Sequence, residues 1–144
     1  MALTVKKVTL WRKEVSNQPG VLAELLEPLA AAGANLRVVM GYGMGDTGRA
    51  VIEVFPISGK KPGAAAAAAG LAASSIACLL VEGDDRAGLG ADMARGIAAA
   101  GVNISFLIAE TVGRKFSAVF GFASDTDATN AAKAIKSAAK AHKR

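Results

Sequence analysis

Along the chain, apolar residues change their spacing in a fixed order, and the order occurs twice. Val8–Val15 reads as a strand, and a polar turn with Pro19 and Gly20 follows it. Val21, Leu22, Leu25, Leu26 and Leu29 then recur at steps of three and four, which predicts a helix from Gly20 to about Ala32. Gly33 stands where helix C-terminal glycines stand. Leu36–Met44 and Arg49–Ile57 read as strands joined by a glycine-rich turn, and Pro62–Ala69 as a second helix with proline near its start. The second pass predicts a strand over Ile76–Gly83 and a helix whose buried face is Leu89, Met93 and Ile97, closed by Gly101. Strands over Ile104–Val112 and Phe116–Ala123 come next, then a helix over Thr126–His142 capped by Asp125. Phe116, Ala118, Phe120 and Phe122 alternate with Ser117, Val119 and Gly121, as a sheet with one buried face requires.

The two passes are copies at an offset of 68 positions. Ala30-Ala31-Ala32-Gly33 matches Ala98-Ala99-Ala100-Gly101, Asn35 matches Asn103, Leu36 matches Ile104, and Glu14 matches Glu82, with one residue of slippage in the Gly41–Arg49 loop. Each copy is βαββα and needs one more strand to complete a ferredoxin-like unit. Leu71–Ser75 can supply it in the first copy. The second has no candidate, because its helix runs to the end, so it is expected to lack its last strand or to borrow one. The fold class is α+β: two ferredoxin-like (βαββαβ) units with antiparallel sheets and helices on one face. The expected domains are 1–75 and 76–144.

Asn17-Gln18-Pro19-Gly20-Val21-Leu22, the helix after it, and Gly33-Ala34-Asn35-Leu36 resemble the signature of ACT domains, small regulatory modules that bind amino acids beside metabolic enzymes. Asp84-Asp85-Arg86-Ala87-Gly88-Leu89 and Gly101-Val102-Asn103-Ile104 resemble it again, departing at Ala87, where the family has proline. The likeness spans nearly the whole chain. It implies a tandem ACT protein whose ligand lies between the strand–helix turn of one domain and the second strand of a neighbour. Carried over, the ligand-binding candidates are Asn17, Gln18, Pro19, Gly20, Val21 and Leu22 in the first copy, and Asp84, Asp85, Arg86, Ala87, Gly88 and Leu89 in the second. Asn35 and Asn103, opening the second strands, are weaker candidates whose other role is to bond the backbone of the turn.

The turn has its own chemistry. Proline fixes φ and glycine permits conformations that other residues avoid, so the chain passes sharply from strand to helix. The helix then starts with backbone N–H groups that lack intrahelical partners, at the positive end of its dipole, which suits a carboxylate. An ammonium group needs acceptors. Asn17 and Gln18 offer amides that donate and accept, whereas Asp84 and Asp85 offer acceptors only. The alternative is that both turns only connect strand to helix, and that Asp84-Asp85-Arg86 is a solvated loop with a local ion pair. Of the two, Asn17–Gly20 is the better candidate for a working site.

Composition narrows the function classes. One cysteine, Cys78 in an apolar run, excludes an intrachain disulfide framework and is expected in the core. Lysines interrupt the N-terminal segment where a signal peptide needs an apolar stretch, and alanine, glycine and serine dominate the one long uncharged run. A cytoplasmic protein is expected, with no membrane partner. Gly43–Gly48 matches a dinucleotide fingerprint, but a strand follows it where pyrophosphate binding needs a helix. Tyr42 and Met44 flank that loop. Lys133, Lys136, Lys140 and Lys143 share a helix face and read as solvated, so nucleic acid is not an expected partner. With a single histidine, His142, no metal or catalytic set is visible, and no cofactor is expected. Trp11 is expected to pack on a sheet face, and Glu53 and Glu110 to lie on exposed faces. These readings converge on a non-enzymatic regulator that binds an amino acid and changes its association as a homodimer, or with a partner enzyme or regulator. The alternative is a ligand-free structural or dimerisation module.

Overall fold

The computed structural model describes residues 3–141. Its elements are β1 (Leu3–Val8), β2 (Trp11–Ser16), α1 (Val21–Ala31), β3 (Val38–Gly43), β4 (Arg49–Phe55), α2 (Lys60–Ala68), β5 (Ala72–Ala73), β6 (Ala77–Asp84), α3 (Leu89–Ala99), β7 (Phe106–Val112), β8 (Lys115–Phe122) and α4 (Asp125–Ala141). They form two units, one of residues 9–75 and one of residues 1–8 with 76–144. The first is called here the inserted unit and the second the host unit. The expected end of the last helix at His142, and Lys143 of its basic face, lie outside the described residues.

Each unit is a four-stranded antiparallel sheet with two helices, in the order β3-β4-β2-β5 in the inserted unit and β1-β6-β8-β7 in the host unit. This is the α+β, doubled ferredoxin-like architecture that the repeat predicts. In the inserted unit Val15, Ala50, Ile52 and Val54 form the sheet side of the core, under Leu25 and Leu29 of α1 and Ala66 of α2. Trp11 packs against this cluster. In the host unit Leu79, Val81, Phe116, Ala118, Phe120 and Phe122 lie under Leu89, Met93 and Ile97 of α3 and Ile135 of α4. The 68-residue offset holds for α1 and α3 and for the starts of β3 and β7.

The unit boundary differs from the expected one at the N-terminus. Residues 1–8 belong with 76–144, not with 9–75. The strand expected over Val8–Val15 is two strands, because the chain leaves one sheet at Val8, paired with Cys78, and enters the other at Trp11, paired with Val54. No strand follows α4 among the described residues. β1 fills the place beside β6 that β5 fills beside β2, so the host unit borrows its fourth strand from the start of the chain. Lys7 fastens it there, its Nζ donating to Asp125 Oδ1 at 2.9 Å and to Thr129 Oγ1 at 2.7 Å in α4.

Three local expectations change. Ser124, not Asp125, caps α4, its Oγ accepting from the Asp127 backbone N–H at 3.1 Å. The β7–β8 hairpin is two residues shorter than β3–β4, not one: Gly43 pairs with Ala50, whereas Thr111 pairs with Phe116. β8 is also buried on both faces, with Val119 only 4% exposed beside the expected aromatic face. Gly121 on that second face has Phe106 packed over it, and a Cβ there would meet the ring. Cys78 is buried as expected, but on the sheet face away from the helices, beside Val8 and Gly121.

Candidate functional site

The two strand–helix turns have the same backbone. In the first, the Val21 N–H bonds the Gln18 carbonyl at 3.4 Å, and Gly20 has φ 89° and ψ −15°. In the second, the Leu89 N–H bonds the Arg86 carbonyl at 3.2 Å, and Gly88 has φ 83° and ψ −3°. Both are type II turns, which require a left-handed residue in the third position and merely favour proline in the second. Ala87 therefore keeps the geometry that Pro19 sets. Each turn is also tied to its neighbouring hairpin, Asn17 N–H to the Gly48 carbonyl at 2.9 Å and Asp85 N–H to the Arg114 carbonyl at 2.8 Å.

What surrounds the turns differs. In the inserted unit a cavity of ≈ 290 Å³ lies between the first turn, the start of α1, and strands β3 and β4. Asn17, Gln18, Val21 and Leu22 line it, together with Ser16, Tyr42, Val15, Ala50, Val51, Ile52 and the glycines Gly41 and Gly43. The glycines make the space. Gly41, Gly43 and Val39 pair with Ile52, Ala50 and Val54, so they share the helix-facing side of the sheet. Two of these three positions carry no side chain. A Cβ on Gly41 would meet nothing within 4 Å, and one on Gly43 would lie 3.6 Å from the Asn17 amide nitrogen. Leu22, on the expected apolar face of α1, is 44% exposed because it walls this cleft instead of joining the core.

In the host unit the matching strand positions carry side chains in place of the glycines. Register places Thr111 and Phe116 where the inserted unit has Gly43 and Ala50, and Ala109 and Ala118 where it has Gly41 and Ile52. Leu89, the counterpart of Val21, is buried in the core. Arg86 lies over the start of α3, its Nη2 bonded to Asp92 Oδ2 at 2.8 Å and its Nη1 within 3.9 Å of a Cβ built on Gly88. Asp84 forms an exposed ion pair with Lys115. Two members of the second candidate set are thus engaged in ion pairs of their own unit. Pro19 and Gly20 shape the first turn without lining the cleft, and Asn35 and Asn103 are exposed on the far loops, outside it.

Glu53 contradicts its expected place on an exposed face. It is fully buried, while Glu110 is exposed as expected. Glu53 pairs across the sheet with Arg12 and Met40 and accepts a 2.8 Å hydrogen bond from the Tyr42 hydroxyl on Oε2. Tyr42 thereby links the cleft rim to the one buried carboxylate among the described residues. Partial burial, and then the neighbouring carboxylate, push the Tyr42 phenol above its ordinary value. The sequence offered no sign of this pair, because its partners come from adjacent strands.

The Gly43–Gly48 loop leads into β4 and no helix, with Thr47 Oγ1 donating to the Met44 carbonyl at 2.8 Å, so the phosphate-binding context is absent there. Lys133, Lys136 and Lys140 are exposed. Among the described residues no His, Cys, Asp or Glu cluster could hold a metal ion, and no helix is long and apolar enough to cross a membrane.

No protein-family model matches the sequence, and no curated protein matches it. Solved structures do match the fold. A Bacteroides thetaiotaomicron protein superposes with a TM-score of 0.73 at 18% identity, over 93% of this chain and 90% of that one. The ligand-free regulatory subunit of aspartate kinase from Thermus thermophilus matches with a TM-score of 0.62 at 17% identity, over 94% and 95% of the two chains. The corresponding subunit from Thermus flavus matches at 0.54 and 20% identity, over 95% of each. The chain has the fold of a tandem pair of ACT-type units, over almost its full length and theirs.

Proposed function

We propose that this chain is a regulatory protein that binds a free amino acid in the cleft of the inserted unit, and that occupancy is linked to association with a second copy or a partner enzyme. The observation that carries the reading is the contrast between two turns of one geometry, where a glycine pair opens a cleft beside one and Ala109, Thr111 and the Arg86–Asp92 pair stand beside the other. The open cleft combines a helix start, which favours a carboxylate, with amide rims at Asn17 and Gln18 that accept from an ammonium. The host unit's turn then serves as scaffold. The protein acts by binding, not by catalysis, and its fold is one that regulatory subunits use.

Association is supported by the exposed apolar residues. Val39 and Tyr42 on edge strand β3 are each 45% exposed, and Leu107, Ile108 and Val112 on edge strand β7 are 48%, 51% and 69% exposed. Unpaired apolar edges invite strand pairing with another chain. A ligand bound beside β3 favours whichever associated state holds that strand better.

A thermal-shift series with each of the twenty amino acids tests the reading. The cognate amino acid raises the unfolding midpoint in a dose-dependent way. A flat response to all twenty at millimolar concentration rejects amino-acid binding and leaves the ligand-free association module.

A further inference from the structure

The side chains around the open cleft specify more than the presence of an amino acid. Its inner surface is Val15, Ala50 and Ile52, the first two 8% exposed and the third 4%, with Val21 and Leu22 as the wall on α1. Polar side chains stand only at the mouth, and no Asp, Glu, Lys or Arg lines it. The Arg49 guanidinium reaches the Ser16 hydroxyl at 3.5 Å, and Arg12 lies beside the Tyr42 hydroxyl, both groups of the rim. The volume of ≈ 290 Å³ falls at the small end of ligand pockets. A charged side chain pushed onto this floor would lose its hydration without gaining a partner. A short hydrocarbon would bury apolar surface on both sides at once.

Resting on the reading that the cleft binds an amino acid, we propose that it selects a neutral one with a branched aliphatic side chain, of the valine, leucine and isoleucine kind. The backbone groups sit at the mouth, against the start of α1 and the Asn17 and Gln18 amides. The hydrocarbon points over Gly41 toward Val15 and Ile52. Gly41 is then the specificity-determining position. Its φ is not in the left-handed region and its Cβ direction is open, so a larger residue can enter without backbone strain and occupy the place of the ligand's side chain.

The test is calorimetric titration of the full chain with valine, leucine, isoleucine, alanine, lysine and aspartate. Methyl NMR of the same chain locates the site through Val21 and Leu22. At least one branched aliphatic amino acid is expected to bind ten-fold or more tighter than alanine, lysine or aspartate, and to shift the Val21 and Leu22 methyl signals. Gly41→Leu is expected to abolish that binding while the unliganded melting temperature stays within a few degrees. Lysine or aspartate binding as tightly as leucine, with the same methyl shifts, overturns the selectivity but leaves the amino-acid reading standing. Aliphatic binding that leaves both methyl groups unmoved overturns the placement. Binding by none of the amino acids tested defeats this inference. The twenty-member thermal series then says whether the wider reading falls too. Should Gly41→Leu fail to fold, the wild-type titration and methyl shifts decide alone.

Discussion

At the scale of single residues, glycine carries the turn and proline decorates it. Gly20 and Gly88 hold φ at 89° and 83°, so replacing either with alanine should cost about 1 kcal/mol from the left-handed conformation. Pro19→Ala should cost less, because proline there acts mainly by restricting the unfolded chain. Urea unfolding of the three variants checks the ranking, and Gly20→Val alone should also weaken ligand binding. Glycines and turn polarity are legible in a sequence because their cause is local. Glu53 was not legible, since a glutamate between Ile52 and Val54 looks the same whether its strand face is solvated or closed. Tyr42 supplies its hydrogen bond, so Tyr42→Phe should lose about 1–3 kcal/mol by leaving that carboxylate under-satisfied. Because the folded phenol titrates above its unfolded value of about 10, its contribution is complete below that pH and fades as pH rises through the folded value. Wild-type stability should therefore fall more steeply than Tyr42→Phe in alkaline melts. Parallel profiles would show that the phenol does not matter to folding.

At the scale of elements, the sequence pattern placed every helix and every strand but β1 within a few residues, since one buried face imposes a spacing of two or of three and four. It missed where β1 ends and β2 begins, because Val8–Val15 is apolar and charged in a mixture that suits a continuous strand. It also missed that β8 packs on both faces. Gly121 marks the second face: its partner Phe106 lies where a methyl group would go. Gly121→Ala should lower the melting temperature by several degrees, with a cost of about 1–3 kcal/mol from overpacking. Phe106→Ala in the same chain should return part of the loss, a non-additivity that a double-mutant cycle measures. The cleft is an element-scale property too. Two glycines on one face of β3 were visible in the sequence, but their meaning required the register that sets them beside Ile52 and Ala50 rather than on the far side of the sheet.

At the scale of the whole molecule, the repeat was legible and the interleaving was not. Nothing in Leu3–Val8 announces a partner seventy positions away; only the missing strand of the second copy hinted that one was needed. Since Val8 pairs with Cys78, the inserted unit leaves and rejoins the host unit at adjacent strands. Replacing residues 9–75 with a short glycine linker should therefore leave a folded four-stranded host unit. Deleting residues 1–8 should instead strip the edge of β6 and drive association, and size-exclusion chromatography distinguishes the two outcomes. The same interleaving sets a timetable during synthesis. The ribosome delivers β1 first, then the entire inserted unit, and only afterwards the strand that β1 joins. At ordinary elongation rates that delay is on the order of ten seconds. For that interval β1 is a nascent strand without a neighbour, and Lys6 and Lys7, charged at its centre and exposed in the finished protein, keep it from sticking to the next chain on the same messenger.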